Sequence, residues 1–446
     1  MNVDKYRATA NALVRNPDDA EALTDQYVNI AEKLEYSKYY VPLAKRAYEI
    51  APENISAVFN YGSALHRTGE YSKAYALYKK AYALAELHDR SWVAQTVHHC
   101  GIAARALGEN EKAAAWYQQA YGLTKDPTIL RDRALSILAS GDLMEGFKAF
   151  EIRKEAAKYK AEKNGKLVTQ ARLPDGVIQW DGESLVGKTV VVYHEEGSGD
   201  FIQFCRYIPM LRHQLGVAKI YLTGQVPDLL DLVADHIAVD GIVPLSGPFE
   251  CDYVIGSMSI PWRIGLTKDR VTGAPYFKTE AAKIPRRGKL NVGLIWRGNP
   301  AYGMDHHRSM SFTEYVPLLD MPGIAFYSLQ CGPASLEVTN LGFDGFVANL
   351  EPLCKTWRDT AKLIQSLDVL VTVDTACAHL AGALGKPVYT LVTNACDWRW
   401  NRKSQRTEWY DSMWVIRQKK TDDWAPCIAE VRRHLEGMVN GRRQAA

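Results

Sequence analysis

Across 446 residues there is no Asp-x-Asp pair and no Cys-x-x-Cys pair. The first absence removes the paired carboxylates that commonly hold a divalent ion on a diphosphate. The second, with no histidines at zinc-finger intervals, excludes a structural zinc framework. The eight cysteines lie scattered in apolar contexts, as Cys205, Cys331 and Cys377 do, and read as reduced, buried small hydrophobes. No apolar run reaches the ~18 residues of a membrane span. The opening MNVDKYRATANAL lacks the basic-then-apolar profile of a signal peptide. A soluble, cytoplasmic protein is expected. Charge of one sign is also lacking, the net value being +3. Arg432, Arg433, Arg442 and Arg443 crowd the end of the chain, where a solvated helix face and frayed tail are favoured over nucleic-acid binding. The glycine-bearing loop from Glu195 to Asp200 is neither G-x-G-x-x-G nor G-x-x-x-x-G-K-[ST], the two best-known nucleotide loops.

What is present divides the chain. Its length fits two to three domains, and 47% apolar with 24% charged residues is an ordinary globular balance. Residues 1–155 offer no convincing strand but repeat a helix–turn–helix unit, clearest in AVFNYGSALHRTGEYSKAYALYKKAYALAEL from Ala57 to Leu87. Gly69-Glu70-Tyr71 aligns with Gly108-Glu109-Asn110 and Gly141-Asp142-Leu143, and a degenerate copy has Glu35-Tyr36 at the turn. The glycines stand 39 and 33 residues apart, close to the ~34 of tetratricopeptide repeats, which this region resembles. The longer interval implies a helix extension near His88 to Trp92. Tyr61, Tyr75, Tyr78, Tyr82, Trp116, Tyr117 and Tyr121 read as packing residues between repeats.

Residues 156–187 read as a linker, with Trp180-Asp181-Gly182 docking it onto the next domain. Residues 188–272 form a first, small α/β half, 273–289 a second linker, and 290–446 a second α/β half with a closing helix. In the second half, LDVLVTVDTACAHLAGALGKPVYTLV reads as strand, helix and strand. Asp374 and Thr375 stand at the strand end, and His379 lies within a helix of small residues. Helix amides there suit a phosphate. From the residues alone His379 is either a satisfied packing histidine or a ligand contact.

In the first half, Glu195-Glu196-Gly197-Ser198-Gly199-Asp200 marks another strand-to-helix turn. Asp200 is either a helix cap or a general base. After the strand NVGLI come Trp296-Arg297-Gly298-Asn299-Pro300 and Asp305-His306-His307-Arg308. Arg297, Asn299 and Arg308 could hold phosphate oxygens. His306 and His307 lack a carboxylate at ligand spacing, so no metal is expected.

VDTACAHLAGALGKPV resembles the nucleotide-binding motif of heptosyltransferase-like glycosyltransferases (family 9-like), Asp-Thr-x-x-x-His-Leu-Ala-x-Ala-Leu-Gly-x-Pro-Val. YHEEGSGDFIQFCRY, WRGNPAYGMDHHRS, SLQCG and DWRW, with Arg417-Gln418 further on, are similar to segments of bacterial proteins that fuse such a half to tetratricopeptide repeats. A more distant likeness is to O-linked N-acetylglucosamine transferases. The resemblance implies a GT-B fold of two Rossmann-like halves after an α-helical solenoid, and inverting, metal-independent transfer with a nucleotide-sugar as co-substrate and no cofactor. It implies Asp200 as base. Gly197, Ser198, Gly199, Arg297, Asn299, Arg308, Asp374, Thr375 and His379 would contact the donor, and Gln330, Thr393, Asn394 and Asp397 would form a pocket for its base or sugar. Thr393-Asn394-Ala395-Cys396 replaces the aliphatic-Pro-Phe usual in that family. A protein or glycan acceptor would be presented by the repeats. Two other readings stand beside it: a non-catalytic repeat scaffold with a degenerate transferase half, and a transferase acting on modified nucleic-acid bases.

Overall fold

The computed structural model describes residues 11–19, 21–23, 25, 41–163, 177–245, 249–302, 305–400 and 402–444. The Glu35-Tyr36 turn lies outside them. Eight helices follow from residue 41, α1 (Val41–Ile50), α2 (Ile55–Arg67), α3 (Tyr71–His88), α4 (Val93–Ala106), α5 (Asn110–Thr124), α6 (Pro127–Ser140), α7 (Leu143–Phe150) and α8 (Arg153–Lys163); α1 to α7 pack each on the next, and α8 packs on α6. The aligned turn glycines behave alike: Gly69, Gly108 and Gly141 have φ of 81°, 80° and 97°. That left-handed conformation ends a helix, and glycine adopts it without a Cβ clash. The repeat also recurs in packing. A Cβ on Gly62 would lie 3.1 Å from the Tyr78 ring, and one on Gly101 2.8 Å from Tyr117. Both tyrosines are fully buried, packing residues as expected.

Two expectations change here. The long interval is not one extended helix. α3 stops at His88, and Asp89 caps a 3₁₀ turn over Arg90–Trp92, accepting the Ser91 amide at 3.0 Å before α4 begins. Residues 156–163, read as the start of a linker, continue α8, whose Ala156 is buried.

The first α/β unit contains β1 (Thr189–Tyr193), α9 (Ser198–Phe204), β2 (Lys219–Thr223), α10 (Pro227–Ala234), β3 (Gly241–Ile242) and β4 (Tyr253–Gly256). Its sheet runs β3-β2-β1-β4, all parallel. The valines of β1 are fully buried, as a parallel strand covered on both faces requires. Trp180 docks the preceding segment by a backbone bridge to Val254 and an indole bond to the Glu183 carbonyl at 2.8 Å.

The second unit contains β5 (Leu290–Ile295), β6 (Ile324–Ser328), β7 (Val347–Asn349), α11 (Trp357–Ser366), β8 (Val369–Val373), α12 (Ala376–Ala383), β9 (Val388–Val392), β10 (Arg406–Thr407), β11 (Tyr410–Arg417) and the closing α13 (Ala425–Gln444). A 3₁₀ stretch, Phe312–Leu318, follows the Ser311 cap, with Pro317 inside; proline supplies no amide for a longer helix. The sheet order is β10-β11-β9-β8-β5-β6-β7, parallel except for β10 on β11. Chain direction across the sheet reverses between β5 and β8, and in the first unit between β1 and β4. At such points successive crossovers leave on opposite faces and open a crevice beyond the strand ends. The loops carrying the candidate residues, 194–200, 296–300 and 374–379, therefore fall at the crevices. The two Rossmann-like units meet through α9 against α12, and one apolar core runs through both. Helical repeats followed by two facing parallel α/β units give the expected α-solenoid plus GT-B architecture.

Candidate active site at the junction of three units

The crevice after β8 is built by α12. Thr375, at its cap position, accepts no helix amide with its side chain; its hydroxyl turns back to that of Thr372 at 3.1 Å. The Ala378 amide is taken by the Thr375 carbonyl at 3.0 Å, while Ala376 and Cys377, at the partial positive end of the helix, line the cavity without a side-chain cap. Asp374 stands beside them. Burial first, then the Asp397 charge, raises its carboxyl to about 6, although the Trp400 indole, Arg308 and Arg399 favour the ionised form. His379 is buried, its Nδ1 lying 3.0 Å from the Tyr410 hydroxyl and its ring 5.3 Å from that of Trp400. Burial and three nearby guanidiniums hold it neutral. It is both the packing residue and a cavity wall.

The facing loop after β1 comes close. A Cβ on Gly199 would sit 2.8 Å from His379 Cδ2 and 3.4 Å from Ala376 Cα. Only glycine lets the two helix starts approach this far. Asp200 does cap: its Oδ2 accepts the Gly197 amide at 2.8 Å. Its other oxygen takes Arg399 from the opposite half. The DWRW segment contains Arg399, but sequence reasoning gives that residue no role. It is almost fully buried and also binds Gln203 at 2.5 Å and Asp397 at 2.8 Å. A lone arginine in sequence gives no hint of this; only the packing of α9 on α12 brings these groups together. Sequence reasoning also misses His194. It directly follows β1, is 8% exposed, and neither ring nitrogen has a hydrogen-bond partner. Ser198 lines the cavity beside them.

In the loop after β5, Arg297 pairs with Glu337 at 2.7 Å and Arg308 with Asp305 at 2.9 Å. Asn299 caps the Ala301 amide at 2.9 Å. Each lines the cavity with a protein partner already in place. Gln330 holds this loop, its Oε1 accepting the amides of Trp296 at 3.0 Å and Arg297 at 2.8 Å. The His306 and His307 rings lie 4.0 Å apart, tilted by 40°, and burial, then His306 and Arg67, lowers His307 to about 4. Among the described residues no three His, Cys, Asp or Glu side chains form a metal-ligand group.

The third wall comes from the repeats. The Tyr71 hydroxyl donates to Asn394 Oδ1 at 3.3 Å, and Arg402 donates to the Ala106 carbonyl at 2.8 Å. Arg153 of α8, with its side chain fully enclosed, grips Glu195 at 2.7 and 3.0 Å and Ser259 at 2.8 Å. Arg131 of α6 reaches Glu196 at 3.2 Å. The resulting cavity, about 2780 Å³, also takes in Thr393 and Asp397. It exceeds the roughly 300–1,000 Å³ of a single small-molecule pocket and has room for two substrates.

Residues 342–424, which carry Asp374, His379 and Arg399, match glycosyltransferase family 9 (heptosyltransferase). Residues 54–126 match the tetratricopeptide repeat family. The chain thus joins a repeat region to a glycosyltransferase family 9 segment. Protein FlbA of Caulobacter vibrioides is 24% identical over 330 residues, covering 67% of this chain and 53% of that protein. The chain therefore spans about half the length of this curated relative. Among solved structures, a glycosyl transferase family 9 protein from Veillonella parvula aligns at 12% identity and TM-score 0.38, covering 53% of this chain and 88% of that one. MamA aligns at 21% identity and TM-score 0.30, covering 35% of this chain and 89% of that one. The family 9 match leaves out the loops around Asp200, Arg297 and Arg308, whose placement rests on the geometry of the cavity.

Proposed function

We propose that the chain is an inverting, metal-independent glycosyltransferase. A nucleotide-sugar binds against the second α/β unit, with its diphosphate at the start of α12. The acceptor hydroxyl enters from the side of β1 and the repeats. The observation that carries this reading is the cavity shared by the uncapped start of α12, the loop after β1 and the repeat helices. That helix start, Arg308 and Arg399 supply the charge that a departing diphosphate needs. A carboxylate of the Glu195–Asp200 loop takes the acceptor proton. The missing Asp-x-Asp pair supports metal independence, and transfer should persist in chelator. Repeat helices lining the cavity support an acceptor, protein or glycan, that is held partly by the repeats. Gln330 and Asn394, already occupied, act as struts of the donor pocket, and Thr393 and Asp397 face it.

The test is transfer from a panel of nucleotide-sugars by the purified full chain, with calorimetry against UDP, GDP, ADP and CMP. Transfer with one donor and micromolar affinity for its nucleotide is expected. Absence of both transfer and nucleotide binding would refute the reading in favour of a scaffold.

A further inference from the structure

Resting on the transferase reading, with Asp200 as the base of the loop after β1, we propose that Arg399 is a positioning residue that exchanges partners. Its Nη2 holds Asp200 and passes to the donor's diphosphate on binding, which frees Asp200 to take the acceptor proton. Three edges of this one guanidinium carry three partners. Nε donates to Gln203 Oε1 at 2.5 Å, Nη1 to Asp397 Oδ1 at 2.8 Å, and Nη2 to Asp200 Oδ1. The guanidinium lies 4.6 Å from the centre of the Trp398 ring, and Asp397 Oδ1 also accepts the Arg399 amide at 3.1 Å. Two edges are therefore anchored, and only Nη2 has to change hands. The exchange never strands a buried charge, because Asp397 and Gln203 stay in place.

Burial works against this cation, and the charges of Asp200, Asp397 and Asp374 outweigh it. Three carboxylates thus compete for one guanidinium. A diphosphate at the start of α12, where Asp374 stands, joins that competition with more charge than any one carboxylate, and arginine's planar fork suits its oxygens. Gly199 packs on Ala376, which sets the Asp200 loop and the α12 start side by side. The hand-over needs a side-chain shift and no opening of the two units. Asp200 keeps its Oδ2 on the Gly197 amide at 2.8 Å, so its side chain stays on the cavity wall while Oδ1 is released. Relieved of the guanidinium, Oδ1 has its lone pairs for an acceptor hydroxyl. The base is thereby freed by the same event that brings the donor.

The step balances. The acceptor oxygen bonds to the anomeric carbon, and its proton passes to Asp200 Oδ1. The bond from anomeric carbon to phosphate oxygen breaks, and its electron pair leaves with the nucleoside diphosphate, now paired with Arg399.

The experiment is calorimetry on the full chain with the best bound of UDP, GDP and ADP, and with its bare nucleoside, in a cycle of Asp200→Asn, Arg399→Gln and the double variant. Asp200→Asn removes the competitor for Nη2 and keeps an oxygen for the Gly197 amide. It should bind the diphosphate about three- to tenfold tighter and the nucleoside within about twofold of the starting protein, while kcat with the active donor falls on the order of 10²–10⁴-fold. Arg399→Gln should weaken diphosphate binding at least about fivefold. Adding Asp200→Asn to it should then change that affinity by less than about twofold, because the coupling runs through the guanidinium. Arg399→Lys, a charge without the fork, should reduce the tightening to less than about twofold and serves where Arg399→Gln does not fold. Diphosphate binding no tighter in Asp200→Asn, as a plain fastening between the units predicts, would overturn the proposal. Equal tightening with and without Arg399 would do so too, since simple repulsion between Asp200 and the phosphates explains it. Should the starting protein bind none of the three diphosphates, the transferase reading itself fails; binding without the tightening defeats the exchange alone.

Discussion

Replacing Asp374 with asparagine should stabilise the protein, and more so at pH 8 than at pH 5. Burial and Asp397 lift this carboxyl from 3.8 to about 6. A shift of about two units at ~1.4 kcal/mol each puts close to 3 kcal/mol against the ionised folded state, nearer 2 kcal/mol with cavity solvent screening the charge. The folded protein retains a proton that the unfolded chain loses between pH ~4 and ~6. Stability therefore falls as pH rises through that window, and the cost is complete above it. Asparagine never ionises, so its advantage should grow by about 1 kcal/mol from pH 5 to pH 8, a few degrees in thermal midpoint. Thermal unfolding of the full chain at both pH values measures it. Equal shifts at the two pH values, or destabilisation at pH 8, would refute the reasoning. Calorimetry on the same variant should show at least fivefold weaker nucleotide binding, a stabilised protein with a poorer site.

Arg153→Met should destabilise by about 3–5 kcal/mol, because Glu195 is left mostly buried without its partner; adding Glu195→Gln should recover over half of that in urea unfolding. Gly199→Ala should cost about 1–3 kcal/mol through overpacking against His379 and lower nucleotide affinity at least fivefold by calorimetry. Gly69→Ala, at φ of 81° and against Thr421, should loosen the repeats from the second α/β unit. Faster proteolysis between repeats and sheet, with unchanged helix content, would report it.

The sequence by itself determined the repeats and the strands. A left-handed glycine at each repeat turn and a buried β-branched run in each parallel strand are local requirements, so Gly69, Gly108, Gly141 and Val369 to Val373 were legible one segment at a time. The helix after Thr375 was legible for the same reason. The composition of the site was legible only in part. Asp374, His379 and Asp200 stand out in their motifs, but what each of them faces depends on residues far away in the chain. Asp200 could be cap or base until the packing of α9 on α12 gave it Arg399, 199 positions on. Arg297 and Arg308 looked like free cations until Glu337 and Asp305 closed on them. Most of all, nothing in the repeat sequence says that Arg131 and Arg153 reach the loop after β1. Side-chain charge and helix periodicity are written locally, but the partner of a buried charge is chosen by which surfaces the fold brings within a few ångströms. That choice, made when three units close on one cavity, belongs to the tertiary structure.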